Sequence, residues 1–578
     1  MSFFIQESKA GKTDITVQVS SLDENSNGDI EELSSNNDSP IEKVEKKFRF
    51  FQIDKDYKIQ RHLNVRHVQL IAISGAIGTS IFVTIATGLL RAGPAGLFTA
   101  TAFYTALVLM MNSAVGEMVT QYPLPSPFVS MAGRCIDEAL EVSSGYNFFL
   151  MESLYIPFEA TAVSAILNYW RDDFSAGIPI AAVLALYLAL NIYDVALFGE
   201  AEFVLSITKL ILAIGLLFFT LITMCGGNPN HDAFGFRNFG IEPFGSGYIT
   251  TGSLGRFDGW LAALFQANQY VGGPEYMSST LAEAKDVRRT SKMMFKSVII
   301  RLCIFYVGGS LSVGILLACN DPTLIAEHGA SSTDVGESPY VIAMNNLNIA
   351  VLPNIVNAVV LLSALSAGNS YVYCASRQLY ALSIKGFAPS FFKLCTRQGI
   401  PIFAVLVTWS FGLLAFLSLG SGGTLGAFTY LTNICTKSQV LLYFYMIITY
   451  DAFYWACKKQ GVDRTKFTYV AYFQPYSAYI VTFFLTILVG IIGYSTFIPG
   501  MWAISDFIFY YIMLFVNVGI FIFWKLFKKT KFKRPSEVDL QDGLEEVEEY
   551  EYQYHLQMEK EGKTGKPNLR QTLFQWLL

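Results

Sequence analysis

Between about residue 66 and residue 527 the chain is a succession of apolar stretches, each long enough for the ~20-residue helix that a hydrocarbon layer ~30 Å thick demands. Inside such a layer every backbone N–H and C=O must find its partner within the segment, so stretches of this length are read as α-helices. Twelve are predicted, starting near Val68, Pro94, Asn147, Gly177, Ala201, Phe257, Ser297, Tyr340, Pro401, Leu425, Ser477 and Asp506. Composition agrees. Only 15% of the 578 residues are charged and 52% are hydrophobic, whereas a soluble surface needs roughly 25% charge. The fold class expected is an all-α polytopic membrane protein.

Two polar segments flank the apolar region. Residues 1–66 are rich in Ser, Asn, Asp, Glu and Lys and bury too little apolar surface to offset the entropy of ordering. They are expected to form a disordered cytosolic tail. Residues 528–578 form a second cytosolic tail that is partly helical, and residues 67–527 are the transmembrane domain. Orientation follows the Lys and Arg bias of the connections. The segment before helix 1 is basic, as are the helix 6–7 link (Lys285, Arg288, Arg289, Lys292, Lys296), the helix 8–9 link (Lys385, Lys393, Arg397), the helix 10–11 link (Lys458, Lys459, Arg464, Lys466) and the exit from helix 12. The link from Cys319 to Pro339 has no Lys or Arg. Both termini are therefore expected in the cytosol, although the helix 4–5 link, Asn191 to Glu200, lacks the basic residues this orientation calls for.

Several function classes are excluded. The eight cysteines are scattered, with no C-x-x-C and no Cys/His cluster. They read as small membrane-core residues. No P-loop, nucleophile elbow or other catalytic constellation is present, so neither an enzyme nor a cofactor is expected, and nothing suggests nucleic-acid binding. The segment Met1 to Gln60 lacks the apolar core of a cleaved signal peptide. Asn37 opens an N-x-[ST] match, but on the cytosolic side.

Helix 1 carries Ser74-Gly75-Ala76-Ile77-Gly78-Thr79 at its middle. Small and hydroxylated residues there favour unwinding, which is tolerated at membrane depth only where the backbone lines a protein cavity. Free N–H groups and a positive helix end would then face a substrate carboxylate; alternatively the run is a close-packing face. Helix 6 carries Gln269-Tyr270-Val271-Gly272-Gly273-Pro274-Glu275. Pro274 removes a backbone donor and Glu275 puts a carboxyl at membrane depth. The alternative to a break is a proline kink. Two interrupted helices, the first and the sixth, point to a five-plus-five repeat transporter whose site lies between them.

These residues carry a family resemblance. RHVQLIAISGAIGTSIFV, GEM with YPLPSPFVSMAGRCIDEAL, FGEAEFVLSITKLILAIG, GGPEYMSSTLAEAKDVRRTSKMMFKSVIIRLCIFYVGG and SALSAGNSYVYCASRQLYALSIKGFAP run in order between His67 and Trp524. The chain resembles the fungal amino acid permeases of the amino acid, polyamine and organocation superfamily. The resemblance implies a LeuT-type inverted repeat, with helices 1–5 mirrored by 6–10, and proton-symport uptake of amino acids across the plasma membrane. It implies that Ser74, Gly75, Ala76, Ile77, Gly78 and Thr79 hold the substrate carboxylate. Carbonyls of the Tyr270, Val271, Gly272 and Gly273 segment would receive the amino group, and Gln269 and Tyr270 would select the side chain. The stretch MAGRCIDEALEVSSGYNFFLMESLYIPFE is similar to the subgroup for acidic amino acids, glutamate or aspartate, a broad range being the alternative. A non-transporting sensor with the permease fold is the second function class.

The proton-coupling or gating candidates are Lys209, Glu275 and Glu117. Lys209 lies eight residues into helix 5, ~12 Å deep at ~1.5 Å per residue, where a buried amine can gain and lose a proton. The family places a lysine near helix 1, and Lys209 fits that place; capping broken helix 1 is a compatible structural role. Glu117 and Glu275 serve either the proton path or as acceptors for neighbouring helices. Glu152 and Glu159 are seven apart and share one face of helix 3, turned to the site or to a helix interface. Asn369 is a packing or site residue, Arg377 an anchor, and Asn433 and Lys437 carry no assigned role. Lys9, Lys12, Lys43, Lys46 and Lys47 are candidate ubiquitin acceptors, which implies ubiquitin ligase machinery as a partner, beside amino acid, protons and the lipid bilayer.

Overall fold

The computed structural model describes residues 53–54 and 78–560, apart from 125, 172, 194, 281–285, 329–336, 421–422 and 543. Ser74, Gly75, Ala76, Ile77, Lys285 and the lysines of the first tail lie outside the described residues. The described part belongs to one compact unit, Phe51–Leu578.

The helices, in chain order, are α1 Ile85–Gln121, α2 Pro127–Cys135, α3 Glu138–Leu167, α4 Gly177–Tyr193, α5 Val195–Met224, α6 Arg237–Ile241, α7 Gly252–Tyr270, α8 Pro274–Thr280, α9 Val287–Arg301, α10 Gly308–Leu316, α11 Pro322–His328, α12 Pro339–Asn346, α13 Leu352–Ile384, α14 Ile402–Ser410, α15 Gly423–Gln460, α16 Tyr476–Ile491, α17 Ile504–Lys528 and α18 Leu544–Lys560. Eight helical segments are long and apolar enough to cross a membrane, and α4 and α16 are shorter apolar helices. A two-residue antiparallel pairing joins β1, Ile53–Asp54, to β2, Cys395–Thr396.

Local chemistry explains how these segments are bent, interrupted and joined. Gly93 takes φ +71° immediately before Pro94 and divides α1 into the end of one span and the whole of the next. The amides of Ala95 and Gly96, stripped of helical partners by the bend, donate to the Pro243 carbonyl at 2.8 and 3.1 Å. A side chain at Gly93 would stand 2.4 Å from the Gly245 nitrogen, so the bend needs glycine for space as well as for φ. α7 and α8 form one interrupted span; α9 passes through a π-helical turn, Leu302–Val307, into α10; and α14 tightens into the 3₁₀ segment Phe411–Leu419.

Several expected starts need correction, among them the third span, which begins at Glu138 and not near Asn147, and the seventh, which begins at Val287 and not near Ser297. The eighth span begins at Leu352, not near Tyr340, because Asn348 adopts φ +58° and ends the separate short helix α12. The fifth span begins at Val195, six residues before Ala201, so that a single residue separates it from α4, which ends at Tyr193. The connection is too short to carry the basic residues that orientation called for. Of the cysteines, Cys225 and Cys303 are exposed and the other six are buried.

α3 is the centre of the bundle. It is buried nearly all round, with α13 along one side and α15 against another, while α1 packs along α7. Lipid offers no hydrophobic drive for one span to seek another, so polar side chains stitch them. Asn147 of α3 donates to the Ser438 carbonyl of α15 at 2.9 Å and accepts from Asn517 of α17 at 2.8 Å. The outer helices leave large apolar side chains exposed, including Phe218, Leu221, Phe483, Phe515 and Ile522, as a lipid-facing surface requires.

The basic end of the bundle is closed by the segment after α17. Tyr122 donates to the Leu540 carbonyl at 2.7 Å, Gln460 to the carbonyls of Pro535 and Val538 at 3.0 and 2.7 Å, and Arg288 pairs with Glu551 at 3.3 Å. The described part of the second tail, to Lys560, is therefore helical in α18 and docked.

Candidate functional site

The first break shows only its trailing edge. Gly78 is extended, at φ −108° and ψ −157°, ahead of the single 3₁₀ turn Thr79–Ile81. The N–H of Thr79 donates to Glu159 Oε1 of α3 at 3.2 Å, and the Thr79 hydroxyl donates to Oε2 of the same carboxylate. Unwinding leaves amides without carbonyl partners, and Glu159, which is fully buried, satisfies one of them. A Cβ at Gly78 would lie 2.4 Å from Glu159 Oε1. Glycine lets the carboxylate reach the backbone.

The second break separates α7 from α8. Val271, at φ −84° and ψ 82°, leaves the helix; Gly272 and Gly273 lie outside both helices; Pro274 opens the second, whose Met277 amide donates to the Gly273 carbonyl at 3.3 Å. The Gly273 N–H lies 3.2 Å from each oxygen of Glu275, so that carboxylate folds back over the opening of its own helix. Tyr443 of α15 holds its hydroxyl 3.0 Å from both Glu275 oxygens and 3.4 Å from the Val271 carbonyl. Gln439 donates to Tyr443 at 3.1 Å, and Tyr155 of α3 donates to Gln439 at 2.8 Å. A chain of polar side chains thus runs from α3 through α15 to the break. Tyr270 bonds the Thr101 hydroxyl at 2.8 Å, and Gln269 accepts from Gln266 at 2.7 Å while its own buried amide nitrogen has no hydrogen-bond partner. Gln266 also lines a cavity of about 70 Å³ near the Gly93 bend, with Arg91, Tyr248, Asn433 and Tyr510.

Lys209 is 1% exposed and lies between two fully buried carboxylates, Glu159 and Glu202, that act on it electrostatically. Glu202 accepts from Ser366 at 2.6 Å and from Asn369 at 2.7 Å, and Asn369 accepts from Asn191 at 2.8 Å. Asn369 is thus tied to the lysine's counter-charge. Sequence reasoning missed Glu202, although it stands seven residues before Lys209 and so shares its face of α5. It also missed Tyr443, Gln439 and Tyr155, which no local motif marks.

The remaining candidates fall elsewhere. Glu117 is not brought to the breaks: it accepts from Arg464 at 2.6 and 2.8 Å, from Tyr450 at 3.1 Å and from the Ala471 amide at 2.7 Å, at the basic end. Arg377 stacks over Tyr373 at 4.0 Å, and Lys437 donates to the Val489 carbonyl of α16.

A polytopic helical bundle with its sixth span interrupted between Tyr270 and Pro274, and with a lysine and carboxylates buried inside it, has the architecture of a membrane permease. Residues 67–536 match the family model for amino acid permeases. The chain belongs to this family, as a fungal amino acid permease of the amino acid, polyamine and organocation superfamily. It is 42% identical to a general amino acid permease of Saccharomyces cerevisiae over 85% of this chain and 84% of that one. It is 35% identical to a proline-specific permease of Emericella nidulans, over 86% and 90% of the two chains. A dicarboxylic amino acid permease of Saccharomyces cerevisiae is 35% identical over 84% and 80%.

Proposed function

We propose that this permease imports amino acids across the plasma membrane by proton symport, with both termini in the cytosol. The observation that carries the reading is Glu159, which holds the trailing edge of the first break while sharing Lys209 with Glu202. The substrate carboxylate docks on the amides of residues 74–79, and its amino group meets the carbonyls at Val271 to Gly273. Lys209 gains and loses the coupled proton between Glu159 and Glu202. Glu275 caps the second break and Glu117 gates through its tie to Arg464. The lysines of the first tail are the sites at which ubiquitin ligase machinery would act. One proton crossing the membrane potential supplies ~2.3 kcal/mol per 100 mV, enough to concentrate substrate substantially.

Relatives of this chain bear the names of general, proline-specific and dicarboxylic permeases. Breadth is favoured over restriction to glutamate or aspartate, because Glu159, Glu202 and Glu275 already outnumber Lys209 in the buried site, and a second substrate carboxylate would enter a negative field.

The test is uptake of labelled acidic, neutral, aromatic and basic amino acids in permease-deficient yeast at acidic pH, with and without a protonophore, beside a Lys209→Met variant. Accumulation abolished by the protonophore and by the variant is expected. Uptake indifferent to the protonophore would remove proton symport. Normal surface expression with no uptake of any label would leave a non-transporting sensor.

A further inference from the structure

Glu152 of α3 is fully buried, and neither of its oxygens accepts a hydrogen bond of ordinary length and angle, although the Tyr276 hydroxyl lies nearby. Every other intramembrane carboxylate described above has partners: Thr79 for Glu159, Ser366 and Asn369 for Glu202, Tyr443 for Glu275. The group that acts on Glu152 most strongly is the like charge of Glu275. Of the hydroxyls around it, Tyr155 is committed to Gln439 and Tyr443 to Glu275, which leaves that of Tyr276 as the one donor for two carboxylate oxygens. Protonation alone would not resolve this, because a neutral carboxyl carries a donor and acceptors that also need partners. A buried carboxylate so sparsely partnered costs several kcal/mol when ionised, and a cation beside it would offset that cost.

The surroundings suit an organic one. Tyr155 and Tyr371 stack at 5.0 Å beside Glu152, and Tyr276 stands 6.1 Å from Tyr371, so aromatic faces and a carboxylate converge as in sites for alkylammonium and guanidinium groups. Position agrees as well. Glu152 lies two helical turns from Glu159, about 10 Å along α3 at ~1.5 Å per residue. One carboxylate of α3 serves the first break, and the other lies beside Glu275 at the second.

We infer that Glu152 is the counter-charge for a second cationic centre on the substrate, so that the permease favours amino acids with an alkylammonium or guanidinium side chain. This rests on the amino acid transport reading and adds its side-chain preference. A substrate with its α-carboxylate at the first break lays its distal cation along α3 toward Glu152, beside the tyrosines.

The experiment compares uptake efficiency, Vmax/KM, for labelled arginine and for citrulline, its neutral isostere, in permease-deficient yeast carrying the full chain, Glu152→Gln or Glu152→Asp, each with surface level read by a fluorescent tag. The wild type is expected to favour arginine about tenfold, and Glu152→Gln to lower the arginine-to-citrulline ratio about tenfold, as loss of a close charge pair does, while Glu152→Asp keeps most of it. A wild-type ratio near one, or a Glu152→Gln ratio within about twofold of wild type, overturns the inference. If Glu152→Gln fails to reach the surface, the wild-type ratio decides. Absence of uptake of either compound by a surface-expressed wild type, together with no uptake of other amino acids, would instead sink the transport reading itself.

Discussion

Arg464, in the link between α15 and α16, grips Glu117 near the end of α1 through two parallel bonds, Nε to Oε1 at 2.6 Å and Nη2 to Oε2 at 2.8 Å. Glu117 is fully buried and Arg464 only 19% exposed by side chain, so this is a planar, largely desolvated pair. Removing one partner strands a buried charge, which typically costs ~3–5 kcal/mol. Arg464→Ala is expected to lower the stability of the detergent-solubilised protein by about 3 kcal/mol, toward the low end because the arginine is partly wet. A double variant, Glu117→Gln with Arg464→Gln, should recover much of the loss in thermal unfolding. Equal loss in the two proteins would show that the pair is not what holds this end together.

Thr79 gives Glu159 both its amide and its hydroxyl. Thr79→Val keeps shape and amide but deletes one charge-assisted bond worth ~1.5–3 kcal/mol. If the trailing edge of the first break is part of the substrate site, amino acid uptake should fall at least about tenfold at unchanged surface level. Retention of full uptake would take that hydroxyl out of the site.

Glycine positions separate packing from freedom. At Gly368 of α13 a Cβ would meet the Tyr187 hydroxyl at 2.1 Å, with the ring carbon behind it at 2.5 Å. Tyr187 is fully buried and cannot swing clear. Gly368→Ala should cost ~1–3 kcal/mol by overpacking. Gly215→Ala on α5, with nothing within 4 Å, should be neutral or stabilising by up to ~1 kcal/mol, since alanine is the better helix former. Melting curves of the two variants that move together would contradict this placement of α4 against α13.

Asp137 caps α3 just outside the membrane-spanning segment. Burial works to raise its pKa, but the Lys525 ammonium, the Thr530 hydroxyl at 2.6 Å and the Ala139 amide at 2.8 Å outweigh it and hold the carboxyl below its ordinary value. A carboxyl depressed in the folded state contributes stability that is fully present above the unfolded pKa of ~4 and is lost as pH falls through the folded value. Thermal stability should therefore show no contribution from this site to its slope between neutral pH and about pH 4, and decline below that. Asp137→Asn should be less stable at neutral pH and decline less steeply in acid. Parallel acid limbs for the two proteins would exclude Asp137 as a source of the slope.

Much of the architecture was legible because lipid imposes it. Spans expected to start at Gly177, Pro401, Leu425, Ser477 and Asp506 were placed within two residues by apolar length alone, and the one expected at Pro94 follows directly on the Gly93 bend. α3 was placed less well: it begins at Glu138, nine residues before Asn147, because its polar first turns are buried by protein and never meet lipid. The same limit explains the misplaced start of the eighth span, where α12 is apolar but ends at the positive φ of Asn348.

By itself the sequence determined the succession of spans, the interruption of the sixth beside Pro274 and the burial of Lys209, since each depends only on neighbouring residues and on the cost of exposing backbone or charge to hydrocarbon. Only the tertiary structure decided which charges meet. Glu202 and Glu159 flank Lys209 from different helices, Tyr443 reaches Glu275 across 168 residues, and Arg464 finds Glu117 across 347. Such pairings follow from how helices pack around α3, and no local periodicity encodes a partner that far away along the chain.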